Sequence, residues 1–298
     1  MNKLQFGATL CAALIATSAQ AGFNLLDPGT GTRQVVAKDS TAFILKESGA
    51  VWRHRWGDFQ QLDNGTNSKQ IAIGNNLYLL KHSGQIWEYD ENSWNSQWKQ
   101  IDNGTNTNML SASGDRMYVL KDSGQIFRYR NGRFQQIDNG SGTKQIHAYR
   151  STLWILKNNG SVFKYNDYNG RFDRIDNGTN TRMITGDENT CYILKDSGEV
   201  WEYRYGRFNK IDNGTNSAKL AYDGSDLYLL KTSGEVWKYD RFYNNWKNVN
   251  NQGGVRDITT AGGTLYLLWG NGNIYTYTDS PWAPDAAQSS KFNEVHAD

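Results

Sequence analysis

Apolar and polar residues alternate along the chain in short runs, and turns that contain glycine separate the runs. The stretch "NLYLLKHSGQIWEY" at 76–89 shows the pattern, with two apolar and aromatic runs on either side of a turn at Gly84. Alternation with a period of two residues is typical of half-buried β-strands. No stretch shows the period of an amphipathic helix, so the sequence predicts an all-β protein.

The runs belong to a repeat of about 37 residues, and seven copies of its turn glycine are present. They are 35 to 40 residues apart, at Gly49, Gly84, Gly124, Gly160, Gly198, Gly234 and Gly272. Each copy holds four strand patterns, such as "KQIAI" at 69–73 and "QIWEY" at 85–89. This predicts a seven-bladed β-propeller with four-stranded antiparallel blades. A β-helix is the competing architecture, but its coils are shorter and carry fewer aromatic residues.

The two ends of the repeat array indicate how the ring closes. The segment "FNLLDPGTGTRQ" from Phe23 copies "FQQLDNGTNSKQ" at 59–70, whereas the last repeat stops after three strands, near Thr278. We therefore expect the N-terminal strand Phe23–Leu26 to complete the seventh blade. "KFNEVHAD" at 291–298, with Phe292, is an alternative closing strand because its apolar spacing is similar.

Residues 1–21 have the features of a secretory signal: Lys3, the apolar run "FGATLCAALIATS", and a small-residue cleavage site that ends at Ala21. A membrane anchor is the alternative, but the apolar run is shorter than the roughly 18 residues that a span needs. We expect export to the periplasm or the extracellular space. The predicted mature part, 22–298, is one propeller domain with a C-terminal tail at 280–298.

The repeat resembles that of the tectonin or tachylectin-like β-propeller family, in which an aromatic strand is followed by a small-residue strand and a glycine turn. The matching residues in one copy are Trp98, Ile101, Ala112, Gly114, Tyr118, Gly124, Ile126 and Tyr129. The resemblance covers nearly all of 22–298. It implies a propeller fold and favours sugar binding.

A repeated acidic position and a repeated basic position suggest ion pairs within the ring. The acids are Asp27, Asp63, Asp102, Asp138, Asp176 and Asp212, and the lysines about 19 residues later are Lys46, Lys81, Lys121, Lys157, Lys195 and Lys231. In the seventh unit both change, to Asn250 and Trp269. Because strands alternate in direction, the two positions lie on the same side of the propeller. We predict six structural Asp–Lys contacts.

The acids open a recurrent "DNGT" turn, which we interpret as the connection between the outer strand of one blade and the inner strand of the next. Asp supports an Asx turn, and Asn-Gly adopts positive φ readily. A calcium loop would need several alternating carboxylates, and each turn has one. The Asn-Gly-Thr and Asn-Gly-Ser triplets also match the glycosylation acceptor pattern.

On the opposite side, longer connections of variable length are rich in aromatic residues, arginine and asparagine. The aromatic residues nearest their centres are the candidate ligand-binding residues Trp56, Trp94, Tyr168, Tyr205 and Tyr243. Flat rings and planar polar groups suit the faces and hydroxyl edges of sugars. Protein partners use the same residue types, and covering of blade edges is the structural alternative.

Nothing in the sequence indicates catalysis, a cofactor or a metal site. His54, His82, His147 and His296 occupy unrelated repeat positions without metal-ligand spacing. Cys191 stands where sister repeats carry leucine, so we interpret it as a core residue. A glycosidase pair assembled across blades is the remaining enzymatic possibility.

Two binding functions are therefore predicted. The favoured one is an exported lectin-like protein with several shallow, equivalent glycan sites that gain strength by multivalency. The alternative is a protein-interaction scaffold that uses its variable side once. With 32 Lys and Arg residues against 30 Asp and Glu residues, the chain lacks the charge of a nucleic-acid-binding protein. We also expect no membrane insertion.

Overall fold

The structure is a computed structural model that describes residues 22–91 and 97–278. Every regular element in these two ranges is a β-strand. In chain order the strands are β1 (Phe23–Asp27), β2 (Thr32–Lys38), β3 (Thr41–Lys46), β4 (Val51–Arg55), β5 (Asp58–Asp63), β6 (Ser68–Ile73), β7 (Leu77–Lys81), β8 (Ile86–Tyr89), β9 (Trp98–Asp102), β10 (Thr107–Ser113), β11 (Arg116–Lys121), β12 (Ile126–Arg130), β13 (Arg133–Asp138), β14 (Thr143–Tyr149), β15 (Thr152–Lys157), β16 (Val162–Asn166), β17 (Arg171–Asp176), β18 (Thr181–Gly186), β19 (Thr190–Lys195), β20 (Val200–Arg204), β21 (Arg207–Asp212), β22 (Ser217–Tyr222), β23 (Leu227–Lys231), β24 (Val236–Asp240), β25 (Asn245–Asn250), β26 (Val255–Ala261), β27 (Thr264–Trp269) and β28 (Ile274–Tyr277).

The strands form seven four-stranded antiparallel sheets, which we number as blades in chain order. Blades 1 to 6 are β2–β5, β6–β9, β10–β13, β14–β17, β18–β21 and β22–β25, and blade 7 is β26–β28 with β1. The first strand of every blade contacts the first strand of the next blade, and β26 contacts β2. The inner strands thus complete a ring, and the predicted seven-bladed propeller is confirmed.

Blade 7 combines the two ends of the described chain. Its outer strand β1 pairs with β28, with Phe23 opposite Tyr277 and Leu25 opposite Tyr275. The rings of Phe23 and Tyr277 are 5.1 Å apart. The predicted closure by the N-terminal strand is therefore confirmed, and the alternative strand at Phe292 lies outside the described residues.

Hydrophobic cores lie between neighbouring blades rather than within them. In one cluster Tyr118 and Leu120 of blade 3 pack against Ile146 and Leu153 of blade 4. Seven such clusters are present in the described part of the chain. A blade alone would leave both of its apolar faces in water, so each blade depends on its neighbours.

Side-chain amides join inner strands that share no sheet pairing. Nε2 of Gln70 donates to the Leu110 carbonyl at 2.9 Å, and its Oε1 accepts from the Leu110 amide at 2.8 Å. The same reciprocal pair of bonds links Gln34 to Ile71 and Gln145 to Ile184. These bridges satisfy backbone groups that would otherwise lack partners at the blade edges.

Replacing Gln70 with Met should weaken the ring. Methionine occupies the equivalent place in blades 3 and 5, at Met109 and Met183, so it fits the site by size. The change leaves the carbonyl of Leu110 without its donor and offers the Leu110 amide only a thioether sulfur, as Met183 does for the Leu220 amide at 3.5 Å. We expect a loss of about 1–3 kcal/mol in the free energy of unfolding. Thermal and urea unfolding would measure it. Exposed Gln61→Met on β5 is the control, and equal stability of the two variants would contradict the bridging role.

A histidine makes a related contact between blades 4 and 5. Nε2 of His147 lies 3.0 Å from the carbonyl oxygen of Gly186. Desolvation lowers the pKa of His147, and the hydrogen bond to Gly186 opposes this only in part. The folded state therefore favours neutral imidazole.

Stability should fall as the pH is lowered through about 6.5, where an unfolded histidine takes up a proton that folded His147 resists. We expect the fall in unfolding temperature between pH 7.5 and pH 5.5 to be smaller in His147→Gln, which keeps a donor for Gly186. His54, whose pKa burial also lowers, accounts for part of the remaining dependence. An unchanged pH profile in His147→Gln would show that this group is not responsible.

Candidate functional site

The propeller has two unlike sides, which we name by their connections. The Asp–Lys face carries the turns that join one blade to the next and the turns between second and third strands, such as 63–68 and 81–86. The aromatic face carries the connections between first and second strands and between third and fourth strands, such as 38–41 and 55–58. The predicted Asp–Lys pairs lie on the first face, and the described candidate ligand-binding residues lie on the second, as expected from the alternating strand directions.

On the Asp–Lys face, the structure brings all six acids next to their lysines. The Nζ–Oδ2 distances are 2.7 to 3.2 Å. Their side chains are between 11 and 25% exposed. The pairs are Lys46–Asp27, Lys81–Asp63, Lys121–Asp102, Lys157–Asp138, Lys195–Asp176 and Lys231–Asp212.

A third residue, which sequence reasoning missed, completes each pair. Every lysine Nζ also lies 2.8 to 3.1 Å from a hydroxyl at the start of the inner strand, and each Asp Oδ1 accepts from the amide of the glycine two residues on, at 2.7 to 2.9 Å. The hydroxyls belong to Thr32, Ser68, Thr107, Thr143, Thr181 and Ser217. The recurrence of Ser or Thr at this position was the signal available in the sequence.

Blade 7 replaces the whole group together, with Asn250, Val255 and Trp269. Nδ2 of Asn250 donates to the carbonyls of Gly234 and Gly253 at 3.3 and 3.4 Å. The Trp269 ring lies so close to Gly254 that a Cβ there would be 3.0 Å from it. An apolar contact thus takes the place of the ion pair. The recurrent group acts within the protein, tying each connection between blades to a second strand.

On the aromatic face, four of the predicted residues project into solvent. Trp56, Tyr168, Tyr205 and Tyr243 are 85, 80, 74 and 67% exposed. Trp94 lies outside the described residues. The structure adds Phe242, which is 88% exposed and stacks edge-on against Tyr243 at 4.9 Å. The two rings are adjacent in "RFYNN" at 241–245, so the sequence carried the signal for both.

Two of these rings stand at strained hairpin tips. Trp56-Gly57 and Tyr205-Gly206 are two-residue connections, closed by the pairs Arg55–Asp58 and Arg204–Arg207. Both residues of each connection have positive φ, 54° and 84° in the first and 50° and 77° in the second. This is the type I′ pattern, which favours Asn-Gly. Blade 3 has that dipeptide, Asn131-Gly132, at the same place with φ of 51° and 75°.

Tryptophan and tyrosine adopt this conformation at a cost of roughly 1–2 kcal/mol per residue. Their side chains recover little of it by packing, because they are exposed. Strain of this kind is retained where a side chain is needed for function. The two aromatic tips are therefore candidates for a binding surface.

Ion pairs hold two of the tips in place, one of them partly exposed and the other buried. The Arg55 guanidinium lies over the Trp56 ring at 5.5 Å, and its Nη2 is 2.9 Å from Oε2 of Glu91 in blade 2. Arg116 of blade 3 lies over the Tyr168 ring at 5.8 Å, and its Nε is 2.7 Å from the buried Asp167 carboxylate. Each tip is thus fixed by contacts that cross between blades, which preorganises the surface.

A third interblade cluster lies beneath the tip of blade 6. Nη2 of Arg241 lies 3.0 Å from Oε1 of Glu202 and also donates to the Tyr192 hydroxyl. Burial alone would lower the pKa of Arg241, but Tyr192 and Glu202 outweigh this and raise it. Arg241 is therefore a permanent cation at the base of the Phe242–Tyr243 tip.

Two features of the described residues bear on catalysis. Cys191 is buried among Trp154 and Ile193, and burial raises the pKa of its thiol. Within 22–91 and 97–278, no group of three or more His, Cys, Asp or Glu side chains is arranged to hold a metal ion. In the same ranges no helix is long and apolar enough to cross a membrane.

Shallow clefts occur on the Asp–Lys face, where the connection that enters a blade lies beside that blade's turn between second and third strands. One, of about 370 Å³, is lined by Gly142, Asn158, Phe163 and Arg174, among others. A second, of about 250 Å³, is the equivalent place one blade further on, with Trp201 in the position of Phe163. Repetition of the blade thus repeats the cleft.

No protein-family model matches the chain, and no curated protein sequence matches it either. Solved structures share its fold. PorZ, an essential bacterial surface component of the type-IX secretion system of Porphyromonas gingivalis, is 15% identical with a TM-score of 0.67, over 88% of this chain and 40% of PorZ. YCF48 from Cyanidioschyzon merolae is 10% identical with a TM-score of 0.66, over 87% of this chain and 99% of YCF48.

A third similar structure, Prp20p from Saccharomyces cerevisiae, is 10% identical with a TM-score of 0.63, over 89% of this chain and 86% of Prp20p. Identities this low establish the propeller fold and nothing finer. Membership of the tectonin family remains an inference from the repeat.

Changing the strained tips to asparagine should stabilise the protein. Trp56→Asn and Tyr205→Asn each introduce the Asn-Gly dipeptide that a type I′ turn prefers. We expect the free energy of unfolding to rise by up to about 1 kcal/mol. Loss of the cation–π contact with the neighbouring arginine reduces this gain. Urea unfolding at neutral pH would measure it. The reverse change in blade 3, Asn131→Tyr, is the matched control and should destabilise. A loss of stability in both asparagine variants would mean that the rings serve packing.

Proposed function

We propose that this chain is an exported, non-catalytic scaffold that binds a protein partner on its aromatic face. The observation that carries the proposal is the strained, exposed Trp56 and Tyr205 tips, which lie on the same face of the propeller as the exposed Tyr168, Phe242 and Tyr243. Exposed aromatic residues fixed beside arginines are the residue types that dominate binding energy at protein interfaces.

The distribution of these rings favours one composite site over several equal ones. Blades 1 and 5 carry an aromatic residue in a two-residue turn, blade 3 has Asn131 there, and blades 4 and 6 use four-residue loops between Asn166 and Arg171 and between Asp240 and Asn245. A lectin with equivalent sites would repeat its ligand-binding side chains from blade to blade. The side chains that do repeat, the Asp–Lys groups, are bonded to one another.

Similar propellers support both the partner class and the location. YCF48 has been solved with the D1 peptide, and Prp20p is described by its binding to Gsp1p and histones. PorZ is a surface component, and another structural neighbour is the extracellular domain of BT4673 from B. thetaiotaomicron. Together with the signal-like 1–21, they favour export.

Carbohydrate binding is the second candidate, and the recurrent clefts of the Asp–Lys face favour it. Each presents an aromatic edge, Phe163 or Trp201, beside amide and charged groups. Sites of this kind would be shallow and individually weak, so binding would depend on several clefts engaging a dense glycan surface together.

One set of variants separates the two functions. The triple variant Trp56→Asn, Tyr205→Asn, Phe242→Ser changes the aromatic face, and Asn158→Ala with Arg174→Ala changes a cleft on the other side. Immobilised residues 22–298 would be used for capture from envelope extracts, with quantitative mass spectrometry, and in parallel on a glycan array.

We expect the triple variant to lose at least nine-tenths of the specifically captured protein, and the cleft variant to retain it. Capture that survives the triple variant would contradict the scaffold proposal. Saturable glycan binding that is markedly weakened in the cleft variant and unchanged in the triple variant would instead support the second candidate.

A further inference from the structure

On the aromatic face, blade 7 differs from the other six blades because its third and fourth strands are not consecutive in the chain. In the other six blades a connection joins the third strand to the fourth, but in blade 7 these strands are β28 and β1, from opposite ends of the described chain. Third strands run from the Asp–Lys face to the aromatic face, so the chain leaves β28 at Thr278 on the aromatic face. Its exit lies between blade 1, which carries Trp56, and blade 6, which carries Phe242 and Tyr243.

Exposed arginines outnumber exposed aspartates on this face. Among the residues that form or border its described connections, five exposed arginines stand against two exposed aspartates. The arginines are Arg133, Arg150, Arg171, Arg207 and Arg241, and the aspartates are Asp39 and Asp58. Three of these arginines form ion pairs, Arg150 with Glu188, Arg171 with Asp173 and Arg241 with Glu202. Other charged groups of these connections are at least partly buried, many of them in ion pairs such as Arg53–Glu91 and Arg128–Asp167.

The segment that follows Thr278 has the complementary composition. Residues 279–298, "DSPWAPDAAQSSKFNEVHAD", contain four acidic residues and one lysine, a net charge of −3. They also contain Trp282 and Phe292, large apolar side chains that suit a surface of exposed rings. At up to about 3.3 Å per residue, 20 residues reach roughly 65 Å, enough to cross the face of a propeller from blade 7.

We propose that residues 279–298 dock on the aromatic face and occupy the surface that the partner uses. This inference rests on the proposed function in assigning both ligands to one surface. Trp282 and Phe292 contact the Trp56 and Phe242–Tyr243 tips, and the acidic residues face the exposed arginines. Because the segment is tethered beside its site, even weak docking is effective within the chain, since the effective concentration is in the millimolar range. A partner must then displace it.

The test uses a synthetic, dye-labelled peptide of sequence 279–298 and residues 22–278, which contain all 28 strands and the closing pair β1–β28. Fluorescence anisotropy should show saturable binding to 22–278 that weakens as salt is raised from 50 to 500 mM. A scrambled peptide of the same composition should bind at least tenfold more weakly. Binding to 22–298 should also be at least tenfold weaker, because the chain's own segment competes.

Variants assign the docking surface. Trp56→Asn with Phe242→Ser in 22–278 should weaken peptide binding at least tenfold, whereas Lys99→Gln on the outer strand β9 should leave it unchanged. Each protein's thermal unfolding is recorded first, and the asparagine change at Trp56 favours folding. Absence of peptide binding to 22–278, or equal binding to the aromatic variant, would overturn the proposal.

The same proteins separate this inference from the proposed function. If the segment docks, 22–278 should capture more of the partner from envelope extracts than 22–298 does. Capture that depends on the aromatic face but is equal for the two lengths, without peptide binding, would reject segment docking and retain the scaffold. Peptide binding without any such capture would retain docking and reject the scaffold.

Discussion

Burial of both faces of every blade is the constraint on which the rest of the structure depends. The second strand of each blade is almost wholly buried, because its alternate residues pack against two different neighbours, as Tyr118 and Val119 do in adjoining clusters. An open array would leave two apolar blade faces in water, at about 25 cal/mol for each Å². Only a closed ring removes both, and in blade 7 the strand β1 joins the two ends of the described chain.

Closure of the ring also explains why the Asp–Lys groups recur. The turn between blades is the place where the chain leaves one sheet and enters the next without ladder hydrogen bonds. There the carboxylate and the hydroxyl both accept hydrogen bonds from the lysine ammonium group. These bonds also hold the turn against the second strand. Partly buried ion pairs of this kind require full hydrogen bonding to be stabilising. Blade 7 meets the same need with Asn250 and an apolar contact at Trp269.

The fold could be predicted from the sequence because the strand and turn patterns that determine it are repeated. Each pattern is weak alone, but seven equivalent copies together indicate a propeller. Blade number, closure by Phe23 and the partners of the six lysines all followed from equivalent positions. The backbone conformation of Trp56 did not, since positive φ is a property of the turn and not of the residue. Alignment of "RWGD" at 55–58 with "RNGR" at 130–133 indicates the conformation, because it places Trp56 at the position of Asn131 in an Asn-Gly turn. The glutamine bridges were missed because three of seven blades use them, and methionine, lysine and aspartate take their place elsewhere.

The same comparison between blades separates structural residues from those open to binding. Positions that are alike in six or seven blades serve the ring, and their polar atoms are taken up by internal partners. Positions that differ, the tips with Trp56, Asn131, Tyr168, Tyr205 and Phe242, are exposed and free to vary without opening the core. Because ring closure removes one hairpin, it also places the chain's exit among those tips. The constraint that stabilises the propeller thus gives one of its faces both a variable surface and a tethered segment within reach of it.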